Sequence, residues 1–92
     1  FEDYEVILVN DGSPDTERLE RALAPYFDRI VYIRQANSGA AAARNTALRA
    51  ARGELAAFLD GDDLWLPEYL AAQVAALEAK NCDLIYADAY LF

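Results

Sequence analysis

The sequence predicts an α/β domain, three αβα layers with helices on both sides of a mainly parallel sheet. Three observations carry that prediction. Hydrophobic periodicity switches repeatedly between strand-like runs and helical stripes along the chain. Several of the apolar runs are short and continuous, as suits strands covered on both faces. The connections between elements are short and rich in Gly, Pro, Asn and Asp.

Residues 6–9 (VILV) form the first expected strand, stopped by the turn signal NDGSPD at 10–15. Leu19, Ala22, Leu23, Tyr26 and Phe27 follow at helical spacing. Ser13 or Asp15 caps that helix, and Pro14 is tolerated in its first turn. Residues 30–33 (IVYI) are the second strand. The second helix is AAAARNTALRAAR at 40–52, with Asn37 or Ser38 as its cap. Gly53 sits where a helix end favours a left-handed residue. LAAFL at 55–59 is the third strand, stopped by DGDD. Pro67 and Glu68 open the third helix, Leu66, Leu70, Val74 and Leu77 line its stripe, and Lys80 and Asn81 close it. DLIYA at 83–87 completes a β-α-β-α-β-α-β order.

Composition narrows the function. Sixteen acidic residues against eight basic ones give a net charge of −8, which argues against a nucleic-acid partner because phosphate backbones need a basic face. Histidine is absent, which excludes His-based triads and His metal sites within these 92 residues. Cys82 has no second cysteine to pair with and reads as a buried thiol of a reducing cytosol. The first residues lack the basic start of a signal peptide. The apolar runs fall far short of the ~20 residues of a membrane helix. The short length and the start at Phe1 lead us to expect a single partial domain over 1–92, cut from a longer protein.

In open parallel sheets, ligands bind beyond the carboxyl ends of the strands. The first strand ends in Asn10-Asp11-Gly12-Ser13, and the third in Asp60-Gly61-Asp62-Asp63. Parallel strands deliver these ends to one edge, so the two acidic turns are expected to meet there. Asp60, Asp62 and Asp63 repel one another unless a hard cation such as Mg²⁺ or Mn²⁺ neutralises them. The competing reading is a solvated turn whose acids favour the start of the next helix. An EF-hand is excluded, because neither acidic turn has the required acid and glycine spacing. The NSG segment at 37–39 either caps the second helix or turns its N–H groups to an anion, with Gly39 permitting close approach. Arg44, one turn further, reaches a nucleotide or pairs with an acid at the sheet edge. Trp65 and Tyr69 read as packing aromatics rather than a stacking platform.

VNDGSPD, NSGAAAARN and FLDGDDLWLP, in that order and at these separations, resemble family 2 glycosyltransferases of the GT-A fold. The resemblance covers essentially the whole chain. It implies part of the Rossmann-like, nucleotide-sugar-binding half of such an enzyme, without its first strand and helix. It further implies that Asp11, in the turn with Gly12 and Ser13, accepts a hydrogen bond from the nucleotide base. Asn10 stands where many relatives have a second acid. Asp60 and Asp62 look like the outer members of a DxD motif, with Asp60 near the ribose. Asp62 would bind the Mn²⁺ or Mg²⁺ that bridges the two phosphates, and Asp63 would support it. Asn37, Gly39, Arg44 and Asn45 match the segment near the nucleotide.

The implied reaction is transfer from a nucleotide-diphosphate sugar, UDP-linked by family frequency with GDP and dTDP open, to a glycan or lipid-linked acceptor. Inversion, a downstream carboxylate base and bacterial polysaccharide synthesis in the cytoplasm or at the inner membrane face belong to the same expectation. Asp88 follows the fourth strand without marks of being that base. In the family, the absent strand lies between those at 6–9 and 55–59. Two central edges are then left open, which predicts self-association and inactivity of the 92 residues alone. Two other classes compete with this reading. A phospho-acceptor receiver module needs a lysine at a late strand end, whereas Lys80 ends a helix. A haloacid-dehalogenase-type phosphatase places its D-x-D on the first strand with a Thr near the position of Leu64.

Overall fold

The structure is a computed structural model that describes residues 3–87. It divides into two compact units, one over Asp3–Phe58 and the other containing the described residues from Leu59 onward. In the first unit the order is β1 (Ile7–Asp11), α1 (Thr16–Leu23), a single 3₁₀ turn (Ala24–Tyr26), β2 (Val31–Gln35) and α2 (Ala40–Ala50). The second carries α3 (Tyr69–Lys80). An α/β fold with a parallel sheet is therefore present, consistent with a partial GT-A fold.

β1 and β2 run parallel in the register Ile7↔Val31 to Asp11↔Gln35. Side chains alternate across a strand, so this register sorts them onto two faces. Leu8, Asn10, Tyr32 and Arg34 share the face that meets α1. Tyr32 donates from its hydroxyl to Glu20 Oε2 at 2.9 Å, and Arg34 Nε lies 3.4 Å from the same oxygen. Asp11 and Gln35 share the opposite face, which meets α2 through Gln35 and Thr46. One helix on each face gives the α-β-α layering locally. Ahead of β1, Glu5 accepts the Arg52 backbone N–H at 2.6 Å, tying the chain start to the end of α2.

Asn10 is the one buried polar residue among those described, at 4% exposure. Its amide is oriented by what surrounds it. The Ser13 N–H donates to Asn10 Oδ1 at 2.9 Å, while Asn10 Nδ2 donates to Thr16 Oγ1 at 2.9 Å and Tyr32 Oη at 3.0 Å. Thr16 sends its own proton to the Ser13 carbonyl and Tyr32 sends its proton to Glu20. Both hydroxyls therefore need a donor, which an amide supplies and a carboxylate cannot. This accounts for asparagine here. Asn10→Ala strands three partners and is expected to cost about 1–3 kcal/mol by chemical denaturation. Asn10→Asp should also destabilise, and an unchanged midpoint in both variants contradicts this network.

Several expectations require correction. LAAFL at 55–59 and DLIYA at 83–87 form no ladder, and the sheet among the described residues has two strands, not four. An apolar run becomes a strand only when a neighbour takes its N–H and C=O groups, and neither run finds one among the described residues. The same shortage shows in packing, because none of the described apolar side chains is buried. Leu64 is 79% exposed and Tyr86 86%. α2 stops at Ala50 with an extended Ala51, so Gly53 is not its left-handed end. The α1 N-cap is Asp15, without a side-chain cap bond. α3 closes as expected, with Asn81 left-handed at φ 47°. Asp88 lies outside the described residues.

Candidate functional site

Asp11 ends β1, and its register partner Gln35 ends β2. Register partners project to the same side, so their side chains meet. Gln35 Nε2 donates to Asp11 Oδ1 at 2.8 Å. The Ser38 N–H donates to that same oxygen at 2.9 Å, and the Gly39 N–H to Oδ2 at 2.9 Å. Asn37 Nδ2 reaches the Asp11 carbonyl at 3.0 Å. The chain entering α2 is thus held by a carboxylate from a neighbouring strand, which suits the positive end of the helix dipole.

Asn37 and Ser38 were expected to cap α2, and neither does. The N-cap is Gly39 at φ 97°, without a side-chain cap bond. A segment gripped by Asp11 needs no local cap. Gly12, at φ 68°, lies so close under Asn37 that a Cβ there would sit 2.6 Å from the Asn37 nitrogen. Ser13 serves the turn, accepting the Asp15 N–H on Oγ at 3.2 Å. Arg44 and Asn45 lie exposed on α2.

Sequence reasoning missed Gln35 and Thr46. Thr46 Oγ1 lies 2.7 Å from Gln35 Oε1 and 3.0 Å from the Ala42 carbonyl. A polar residue closing an apolar strand was the available signal, and its register with Asp11 emerges only in the folded sheet.

Hydrogen bonding sets the acidity of this corner. The Gln35 amide first, then the Ser38 N–H, hold the Asp11 carboxyl below its ordinary value against some desolvation, and the Gly39 N–H adds to them. Such a depressed group contributes stability that is complete above the unfolded aspartate value of about 3.9 and drains away as pH falls through the lower folded value. Asp11→Asn should therefore lower the melting temperature at neutral pH and flatten its decline below about pH 4. Circular dichroism melts across pH check this, and an unchanged acid profile in the variant refutes it.

The second acidic turn belongs to the unit beginning at Leu59. The Asp63 N–H donates to the Asp60 carbonyl at 3.0 Å, closing a tight turn. Asp60, Asp62 and Asp63 each offer one carboxylate oxygen, all within 4.8 Å of one another and all on exposed residues. An octahedral Mg²⁺ shell places its oxygens about 3–4 Å apart, so small rotations bring this set into range of one hard cation. Oxygen-only donors favour Mg²⁺ or Mn²⁺ over softer metals. Trp65 and Tyr69 stack on each other, centroids 4.6 Å apart, as packing aromatics.

By class this is an α/β chain with a parallel strand pair, followed in sequence by a turn whose three carboxylates could hold a hard cation. The chain belongs to the family 2 glycosyltransferases, since the model described as Glycosyl transferase family 2 matches residues 1–92. It is 50% identical over 62 residues to the uncharacterized glycosyltransferase EpsJ of Bacillus subtilis, covering 66% of this chain and 18% of EpsJ. It is 42% identical over 86 residues to the putative glycosyltransferase EpsH of the same organism, covering 92% and 25% respectively. Identity to its putative teichuronic acid biosynthesis glycosyltransferase TuaG is 40% over 82 residues, covering 86% and 32%. The chain thus spans less than a third of each of these relatives. No solved structure was found to match it. No helix among the described residues is long and apolar enough to cross a membrane.

Proposed function

We propose that these residues form the single, partial nucleotide-sugar-binding domain of a metal-assisted, inverting glycosyltransferase. The donor is a nucleotide-diphosphate sugar, UDP-linked, and the acceptor is a hydroxyl of a glycan or lipid-linked glycan in bacterial polysaccharide synthesis. The observation that carries the reading is the clustering of the Asp60, Asp62 and Asp63 oxygens, in a chain that belongs to a glycosyltransferase family. The description of TuaG as a putative teichuronic acid biosynthesis glycosyltransferase supports the polysaccharide setting.

In this reading Asp11 accepts a hydrogen bond from the base, and Gly12 and Ser13 shape its turn. Asn37, Gly39 and Arg44 line the nucleotide, and Asp60 approaches the ribose. Asp62 and Asp63 would hold Mn²⁺ or Mg²⁺, which when bound would supply Lewis-acid stabilisation of the departing diphosphate. The acceptor oxygen bonds to the anomeric carbon as the carbon–oxygen bond to the diphosphate breaks. Its proton passes to a carboxylate base outside these residues. The site faces the cytoplasm.

Calorimetric titration of the full-length protein tests the reading. UDP is expected to bind far more tightly with Mn²⁺ than without it, and acetyl phosphate with Mg²⁺ is expected not to bind. The reverse preference would favour a phospho-acceptor or phosphatase. Open strand edges and unburied apolar side chains also support self-association of the isolated 92 residues. Sedimentation should give a mass that rises with concentration, and a monomer at all concentrations contradicts that part.

A further inference from the structure

We infer that Gln35 is a positioning residue, which sets the Asp11 carboxylate for its ligand and is itself set by Thr46. The inference rests on the reading of Asp11 as the acceptor for a nucleobase N–H. The geometry begins at the carboxylate. Asp11 Oδ1 already takes two donors, from Gln35 and Ser38, whereas Oδ2 takes one, from Gly39. A carboxylate oxygen offers about two acceptor directions. Oδ1 is therefore filled, and Oδ2 keeps one direction for a single N–H of a ligand.

Two of the three donors are backbone groups fixed by the entry into α2. The third is a side chain, and its amide must face the right way. Asp11 accepts only the NH₂ end of Gln35, which turns Oε1 toward Thr46. Thr46 has one proton and two acceptors in reach, Gln35 Oε1 at 2.7 Å and the Ala42 carbonyl at 3.0 Å. The shorter contact assigns the proton to Gln35. A relay from Thr46 through Gln35 to Asp11 thus spans α2, β2 and β1, and all of it lies within one compact unit. Without Gln35, the backbone N–H groups of Ser38 and Gly39 still hold the carboxylate, but Oδ1 regains a free direction and competes with Oδ2 for the ligand's N–H, so a single acceptor is no longer defined.

The test uses the full-length protein, Mn²⁺, and two probes, UDP and its N3-methyl form, which lacks the donor that Oδ2 would accept. The unaltered protein should prefer UDP by about tenfold or more, the scale of a hydrogen bond to a charged group. Gln35→Leu and Thr46→Val should bind UDP more weakly and lose most of that preference, and Thr46→Ser should restore it. A purely structural role would weaken both probes equally. Melting curves confirm that the variants fold, and Thr46→Val keeps the test open if Gln35→Leu does not. A preference fully kept in the folded variants overturns the inference alone. Absence of UDP binding by the unaltered protein overturns the donor-binding reading and the inference with it.

Discussion

Asp62→Asn in the full-length protein is expected to slow sugar transfer on the order of a thousandfold. The reasoning is electrostatic. A diphosphate brought to this turn meets three exposed carboxylates whose oxygens lie within 4.8 Å of one another. Like charges at that spacing exclude an anionic donor unless a cation intervenes. Asp62 stands between Asp60 and Asp63 in the turn, and its substitution removes one of the two carboxylates proposed to hold the cation. The variant keeps side-chain size and should leave the fold intact, because the turn is closed by a backbone bond from Asp63 to Asp60. Transfer rates measured against Mn²⁺ concentration check the prediction. Near-normal turnover by Asp62→Asn would remove the turn from the chemistry.

Gly12→Ala is the second large effect, and it acts through the backbone. Gly12 holds φ 68°, where a residue with a Cβ is disfavoured by about 1–2 kcal/mol. The new methyl would also sit 2.6 Å from the Asn37 nitrogen, 2.9 Å from its Cβ and 3.0 Å from its Cα. Two of these are backbone atoms, so no rotamer change relieves the contact. Residues 37–39 must move away, which breaks the bonds from Asn37, Ser38 and Gly39 to Asp11. We expect a total loss of about 3–4 kcal/mol, with UDP affinity falling alongside it. A Gly12→Ala protein with an unchanged melting temperature would contradict the close packing of the two turns.

These two sites differ in how far the sequence exposed them. The Asp60–Asp63 cluster was legible because four consecutive residues on one turn are near one another wherever the chain goes. β1, β2 and α3 were legible because their periodicity and end signals are local, as with Lys80 and Asn81 at the close of α3. Residues 55–59 and 83–87 were not, since apolarity records a need for burial and says nothing of which neighbour completes the ladder. The grip of Asp11 on Ser38 and Gly39 was hidden for a related reason. It depends on a parallel register between strands 24 residues apart, and only that register makes Asp11 and Gln35 neighbours. Asn37 and Ser38 look like caps by composition, yet a carboxylate from another strand does that work.

The proposed function assigns Asp11 to the base of a nucleotide-sugar donor and Asp62 to the metal at its diphosphate. A crystal structure of the full-length protein with UDP and Mn²⁺ tests it most directly. One nucleotide is expected, with its base hydrogen-bonded to Asp11 Oδ2 and its diphosphate on a Mn²⁺ ligated by Asp62. An ordered UDP whose base lies away from Asp11, or whose diphosphate is held without Asp62, would overturn that assignment.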